Sequence, residues 1–287
     1  MAYDIPMVDL DTKLLFCWIP KNMCTQMKAL FMRKQLNYTG TAGQTISDYR
    51  HIHVHGFRQV MWYNDSTDGH IWSDRSWNKW AILRDPVQKF VSAFINKCGP
   101  SGESGKRKGS CLGCVDDISC FIETTHRLLR NFSNLPLSVR RFPYFDHFYP
   151  QFWFCDFSHH LSDYTRLFKY DPGEDFKSAL RADLVATGWS RDLVMTSWGL
   201  NGTEPFLEKA STNLSDRKQR SRYEKLIRDD LKLTDFLIRI YLIDYLTFDF
   251  PLPDWLPGLC RKPENLELAR KTFACQLYCK GSRHRKD

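Results

Sequence analysis

No apolar run in the 287-residue chain exceeds six residues, Leu14–Ile19. A membrane-spanning helix needs about 20, so no segment reads as crossing a bilayer. No charged-then-apolar leader opens the chain, because Met1–Leu10 contains Asp4, Pro6 and Asp9. Internal repeats are absent, and no known nucleic-acid module accompanies the basic stretches. What is present is the material of a packed core: 43% hydrophobic and 14% aromatic residues, which excludes a disordered or fibrous chain. The net charge of +8 favours an anionic partner. Its excess lies in Lys106–Lys108 and in the stretch Cys260–Asp287.

Ten cysteines are many for a cytosolic chain. With Cys17 and Cys24 left free in their apolar segment, eight remain, an even number suited to a disulfide framework. Cys111 and Cys114 have the spacing of half a zinc site, but Cys275 and Cys279 are spaced as consecutive helical turns and make a poor second half. No metal is expected. Five Asn-x-Ser/Thr sequons, at Asn37, Asn64, Asn131, Asn201 and Asn213, join the cysteines in favouring a secretory lumen. That requires an anchor outside this chain; the alternative is a cytoplasmic protein.

Apolar patterning predicts buried strands over Lys13–Ile19 and Lys79–Leu83, a partly alternating strand over His51–Val60, and another over Thr165–Tyr170. Helices are expected over Thr25–Leu36, Val87–Lys97, Ile118–Phe132, Asp175–Ala186, Asp216–Leu226, Leu231–Leu246 and Leu266–Cys279. Tyr38–Ser47 and the Gly/Ser/Lys-rich Gly99–Gly113 read as loops. Strands alternating with helices argue for an α/β layered fold.

Two segments carry chemistry. In Phe16–Thr25 a buried strand runs into a turn holding Pro20, Lys21, Asn22 and Met23, then into a helix beginning near Cys24, Thr25 and Gln26. The free N–H groups of a first helical turn and its dipole favour an anion there. Lys21 adds a point charge and Thr25 a hydroxyl. The Gly-x-x-x-x-Gly-Lys of a Walker loop is absent. In Trp80–Phe94 a second strand ends in Arg84, which can grip a phosphate bidentately. Asp85 and Pro86 then start a helix as cap and first residue, with Ser92 two turns on and able to donate to the same anion. Taken singly, each segment also reads as an ordinary strand–turn–helix with a solvated cation.

Together, and in this order, the two segments resemble the paired signatures of the sulfotransferases. Pro20, Lys21, Cys24 and Thr25 match the Pro-Lys-x-x-Cys-Thr form of the Golgi carbohydrate sulfotransferases of the chondroitin 4-O type. Arg84, Asp85, Pro86, Phe90, Ser92 and Ala93 match the second signature. His147-Phe148-Tyr149-Pro150-Gln151 with Cys155, and Tyr241-Leu242-Ile243-Asp244-Tyr245-Leu246-Thr247-Phe248, resemble two further segments of that branch. The cysteine cluster from Cys98 to Cys120 resembles nematode-type members. Asn22-Met23 departs from the family's Val/Thr-Gly, and loss of that glycine restricts the backbone beside the sulfate.

The resemblance spans about Lys13 to Phe250. It implies a P-loop-like three-layer α/β fold with a central parallel sheet. The sulfotransferase domain is expected over 1–259, with a flexible basic insert at about 99–116, followed by a basic, cysteine-containing extension over 260–287. The implied co-substrate is 3′-phosphoadenosine 5′-phosphosulfate, held by Pro20–Gln26, Arg84 and Ser92, with Lys21 acting on the transfer. The acceptor is expected to be a glycan such as chondroitin, and the compartment the Golgi lumen. A catalytic degenerate that only binds glycans and a small-molecule sulfotransferase are the alternatives. The base for the acceptor hydroxyl is sought in His51-Ile52-His53-Val54-His55, where His53 or His55 is suited by the ordinary imidazole pKa. A metal site or plain surface histidines would read the same. His147 is a rival base whose aromatic neighbours suggest a packed role, and Asp146 is an acidic alternative.

Overall fold

The computed structural model describes residues 6–36, 71–100, 110–130, 145–198 and 214–283. The sequons, the His51–His55 segment and Lys106–Lys108 lie outside them. The chain forms two compact units, each built from two stretches: residues 1–84 with 151–211, and residues 85–150 with 212–287.

The first unit is α/β. Strands β1 (Met7–Asp9), β2 (Leu14–Cys17), β3 (Asn78–Leu83) and β4 (Arg166–Lys169) lie in the order β1-β2-β3-β4. β2, β3 and β4 are parallel, with Cys17 opposite Ala81 and Leu83 opposite Lys169. The parallel centre and the α/β class are those the resemblance implies. The sheet is mixed because β1 returns antiparallel on β2; at three residues it is too short to show a period in the sequence.

β2 is buried along its whole length, as a central parallel strand covered on both faces should be. Alternation divides its side chains between those faces. Leu14 and Phe16 join Trp80 and Ile82 against Leu30 and Phe31 of α1 (Cys24–Leu36), Leu180 and Leu184 of α4 (Glu174–Ala186) and Val194 of α5 (Arg191–Ser197). Leu15 faces the other way, with Ile71, Trp72 and Trp77. Trp189 meets Phe31 edge-on at 5.1 Å, and the buried Asp9 receives Lys34 at 2.7 Å, tying the end of α1 to β1.

The described part of the second unit is helical: α2 (Pro86–Cys98), α3 (Ile118–Leu129), α6 (Leu214–Asp229), α7 (Leu231–Ile240), α8 (Leu242–Thr247), α9 (Leu256–Arg261), α10 (Leu266–Lys271) and α11 (Phe273–Arg283). The predicted start of α2 holds in detail: Asp85 caps Gln88 N at 2.9 Å and Pro86 occupies the first turn. Two predicted long helices are each broken. Leu231–Leu246 divides at Tyr241, with φ −107° and ψ 17°. Its hydroxyl donates to Phe148 O at 2.8 Å, and its ring meets Phe90 edge-on. Leu266–Cys279 divides at Thr272, which is extended at φ −85° and ψ 136°.

Four disulfides form: Cys17–Cys155, Cys98–Cys111, Cys114–Cys120 and Cys260–Cys275. Cys111 and Cys114 thus serve two different bridges rather than a metal. The expectation that Cys17 stays free is corrected. An apolar setting does not distinguish a buried thiol from a buried half-cystine, and the Cys155 sulfur lies within bonding reach of the end of β2. Cys24 is free as expected, and the other free thiol is Cys279. The Cys17–Cys155 bridge closes the longest loop, 138 residues, for which chain entropy alone gives about 4–5 kcal/mol. Thiol titration of the denatured, unreduced chain should therefore find two reactive groups. Finding four, with Cys17 and Cys155 among them, would refute the bridge.

Candidate active site

The loop after β2 is held by its own asparagine. Asn22 N donates to Ile19 O at 3.2 Å, closing the turn. The Asn22 side chain is 1% exposed. Its Nδ2 donates to Ile82 O at 2.8 Å and to Gln151 Oε1 at 2.6 Å. Gln151, wholly buried, also accepts from Arg84 N at 2.8 Å and donates from Nε2 to Arg84 O at 2.8 Å. One carboxamide thus binds the loop after β2 to the first residue after β3. Arg84 adds a bond of its own, Nη1 to Lys21 O at 3.1 Å, and its guanidinium lies 4.8 Å from the Tyr170 ring centroid.

The loop backbone is strained. Lys21 and Met23 take positive φ of 71° and 59°, a region that costs a non-glycine residue about 1–2 kcal/mol. Met23 stands where the resemblance leads one to expect glycine, and its backbone takes the left-handed form that glycine supplies. Its half-buried side chain packs against the core beside β2 and α1, so its burial offsets the strain. α1 follows at once, Met27 N bonding Met23 O at 3.0 Å. The first-turn N–H groups of Cys24, Thr25 and Gln26 precede any intrahelical partner.

Of the residues read from the sequence, Pro20–Gln26 and Arg84 come together here, at the carboxyl ends of two parallel strands where open α/β sheets bind ligands. Pro20 is buried, and Lys21, Cys24 and Gln26 are half-buried. Ser92 belongs to the second unit. On α2 it lies between Gln88 and Asn96 on the stripe the core leaves incompletely covered. His53 and His55 lie outside the described residues. His147 Nδ1 is 2.9 Å from Asp146 Oδ1, and its carbonyl accepts from the buried Lys89, which also reaches Tyr149 O. Burial pushes the Asp146 carboxyl up, but the hydrogen bond and charge of His147, with Lys89, outweigh it and hold the group below its ordinary range.

Two residues of this neighbourhood had no assigned role in the sequence. In the sequence Gln151 is only one residue of the His147–Gln151 motif. Lys28, one turn beyond Cys24 on α1, is 4% exposed, with its ammonium 3.6 Å from the Trp18 ring centroid. Burial lowers its pKa from the ordinary 10.5 to about 8, and the nearby Cys24 opposes that shift. The i, i+4 spacing from Cys24 was the one signal that could have found it.

The chain matches the profile of the sulfotransferase family over residues 6–251. It is 28% identical over 184 residues to the carbohydrate sulfotransferase chst-1 of Caenorhabditis elegans, covering 61% of this chain and 53% of that protein. An uncharacterized protein of the same worm is 25% identical over 186 residues, covering 62% and 48%. The chain thus spans about half the length of these relatives. No solved structure matches it.

Two outcomes follow from the loop. Met23→Gly should be more stable than Met23→Ala by about 1 kcal/mol, the reverse of the usual order, because only alanine keeps the left-handed strain. Chemical denaturation measures this, and an alanine variant as stable as the glycine one would contradict it. Lys28 lowers stability at neutral pH. Between pH 8 and 10.5 the unfolded chain holds the proton that the folded one has lost, so stability rises across that window. Lys28→Met should therefore gain most at pH 7, with the gain fading towards pH 10.5 in paired melts.

Proposed function

The chain belongs to the sulfotransferase family, and from that premise we propose that it transfers a sulfuryl group from 3′-phosphoadenosine 5′-phosphosulfate to a hydroxyl of a glycan, of which chondroitin is the first to test. The observation that carries this reading is the knot at Gln151, which locks the Lys21–Met23 loop and Arg84 together at the carboxyl ends of β2 and β3. The residue types suit the donor. Lys21, the N-terminus of α1 and Arg84 lie on the two segments that Gln151 joins, and the loop keeps its left-handed form without a glycine. That last point favours an active enzyme over a degenerate binder.

The acceptor oxygen bonds to sulfur while the bond from sulfur to the bridging phosphate oxygen breaks. Adenosine 3′,5′-bisphosphate leaves, and the hydroxyl proton passes to a base. Lys21 and the first turn of α1 would stabilise charge growing on the bridging oxygen. Arg84, with Ser92, would anchor the distal phosphate and contribute binding rather than chemistry. We assign the base to His53 or His55. The four disulfides support an oxidising compartment, and we place the protein in the Golgi lumen. No described helix is long and apolar enough to cross a membrane.

The test is transfer of labelled sulfate to chondroitin, with calorimetric titration of adenosine 3′,5′-bisphosphate. Lys21→Ala should lower the transfer rate by about 10²–10³, the usual effect of removing one preorganised donor, at an unchanged melting temperature. A fully active Lys21→Ala would sink the mechanism. A wild-type chain giving no heat with the bisphosphate would sink the enzyme reading.

A further inference from the structure

The second unit carries a cavity of about 300 Å³ lined by His126, Arg130, Arg239, Leu242 and Phe273. Three separate stretches build it. His126 and Arg130 are one turn apart at the end of α3, Arg239 and Leu242 flank the break between α7 and α8, and Phe273 opens α11. The Cys260–Cys275 bridge anchors α11 close to Phe273.

Part of the wall is tied down by hydrogen bonds, and its charge is unbalanced. Asp235, 5% exposed, accepts Arg239 Nε at 2.7 Å on one oxygen and Ala274 N at 2.7 Å on the other. Its carboxylate is thus occupied by one guanidinium and by the start of α11. The Arg239 guanidinium lies over the Phe273 ring, 5.1 Å from its centroid, and His126 stacks on Phe236 at 4.3 Å. Two guanidiniums and an imidazole therefore border one small space, with the engaged Asp235 carboxylate nearby. The imidazole registers that field: burial, then Arg130 and Arg239, push the His126 pKa below its ordinary value against the opposing pull of Asp235.

A cavity bordered by Arg130, the Asp235-held Arg239, Leu242 and Phe273 suits a ligand with planar anionic groups and an apolar ring face. A uronic acid residue has both, and the volume lies at the small end of ligand pockets, enough for one sugar. We propose that this cavity is a subsite for an acidic sugar unit of a glycan chain, with Arg130 and Arg239 binding the carboxylate or sulfate and Phe273 supporting the ring. The assignment rests on the glycan-acceptor reading above and gives that acceptor its charge class.

The probes are a chondroitin hexasaccharide, a neutral hexamer of N-acetylglucosamine and a single-stranded oligonucleotide matched to the first in charge. All are titrated against the whole chain and against Arg130→Glu, a change at an exposed helix end. The wild type should bind the chondroitin oligomer at least tenfold more tightly than either other probe. Arg130→Glu should weaken that binding at least tenfold, with melting temperature and adenosine 3′,5′-bisphosphate binding unchanged. Phe273→Leu, which keeps the packing and removes the ring, should weaken it less. Unaltered chondroitin affinity in Arg130→Glu would overturn the subsite, as would oligonucleotide binding of equal strength or no oligosaccharide binding by the wild type. Failure of the bisphosphate titration alone would remove the donor reading and leave this one standing.

Discussion

The proposed donor site depends on a single buried carboxamide. Gln151 uses both ends of its amide: the oxygen accepts from Asn22 and from Arg84 N, and the nitrogen donates to Arg84 O. Gln151 and Asn22 are shut off from the surface, so each bond is worth more than an exposed one, and losing one leaves a buried group unpaired. A glutamate there could accept twice but not donate, and would bury a charge. The same short segment is tied again at Cys155, whose bridge to Cys17 ends β2. A covalent and a polar fastening four residues apart fix where β2 and β3 stop relative to one another. That spacing sets the distance between the backbones of Lys21 and Arg84.

This fastening explains how the loop sustains its strain. Left-handed φ at two non-glycine residues persists only where the surroundings over-determine the backbone. Here the determinants are named: the Asn22 amide bonded in the interior, the Met23 side chain seated in the core, and the Lys21 carbonyl bonded by Arg84. Replacing glycine therefore moves the source of loop shape from conformational freedom to packing. The loop becomes less adaptable, and its geometry relies on tertiary contacts that a glycine loop would need less.

The two motifs proposed to hold the donor were legible because their information is local. A continuous apolar run marks a doubly covered strand, Asp85-Pro86 marks a helix start, and both hold in the structure. What escaped the sequence is what needs distance. The role of Gln151 depends on residues 129 and 67 positions away. The partner of Cys17 lies 138 positions on. β1 is too short for periodicity, and the breaks at Tyr241 and Thr272 come without proline or glycine. At Tyr241 a tertiary hydrogen bond to Phe148 stands in for the missing local signal. The residues of the basic cavity come from three stretches, none with a motif of its own.

The distribution of charge separates two tasks. A net +8 suggests a broad positive field, yet the proposed donor site uses few cations. Arg84 is bonded to backbone and stacked on a ring. Such groups discriminate by placement and act over a short range. Exposed basic residues act differently, since screening confines each to about a Debye length and many must sum to steer a polymer. Arg130 and Arg239 fall between these cases, accessible to a ligand yet bordering a shaped cavity. A polymer held only by a diffuse field could slide along it. One sugar seated in such a cavity would be held in place there, which a diffuse field does not do.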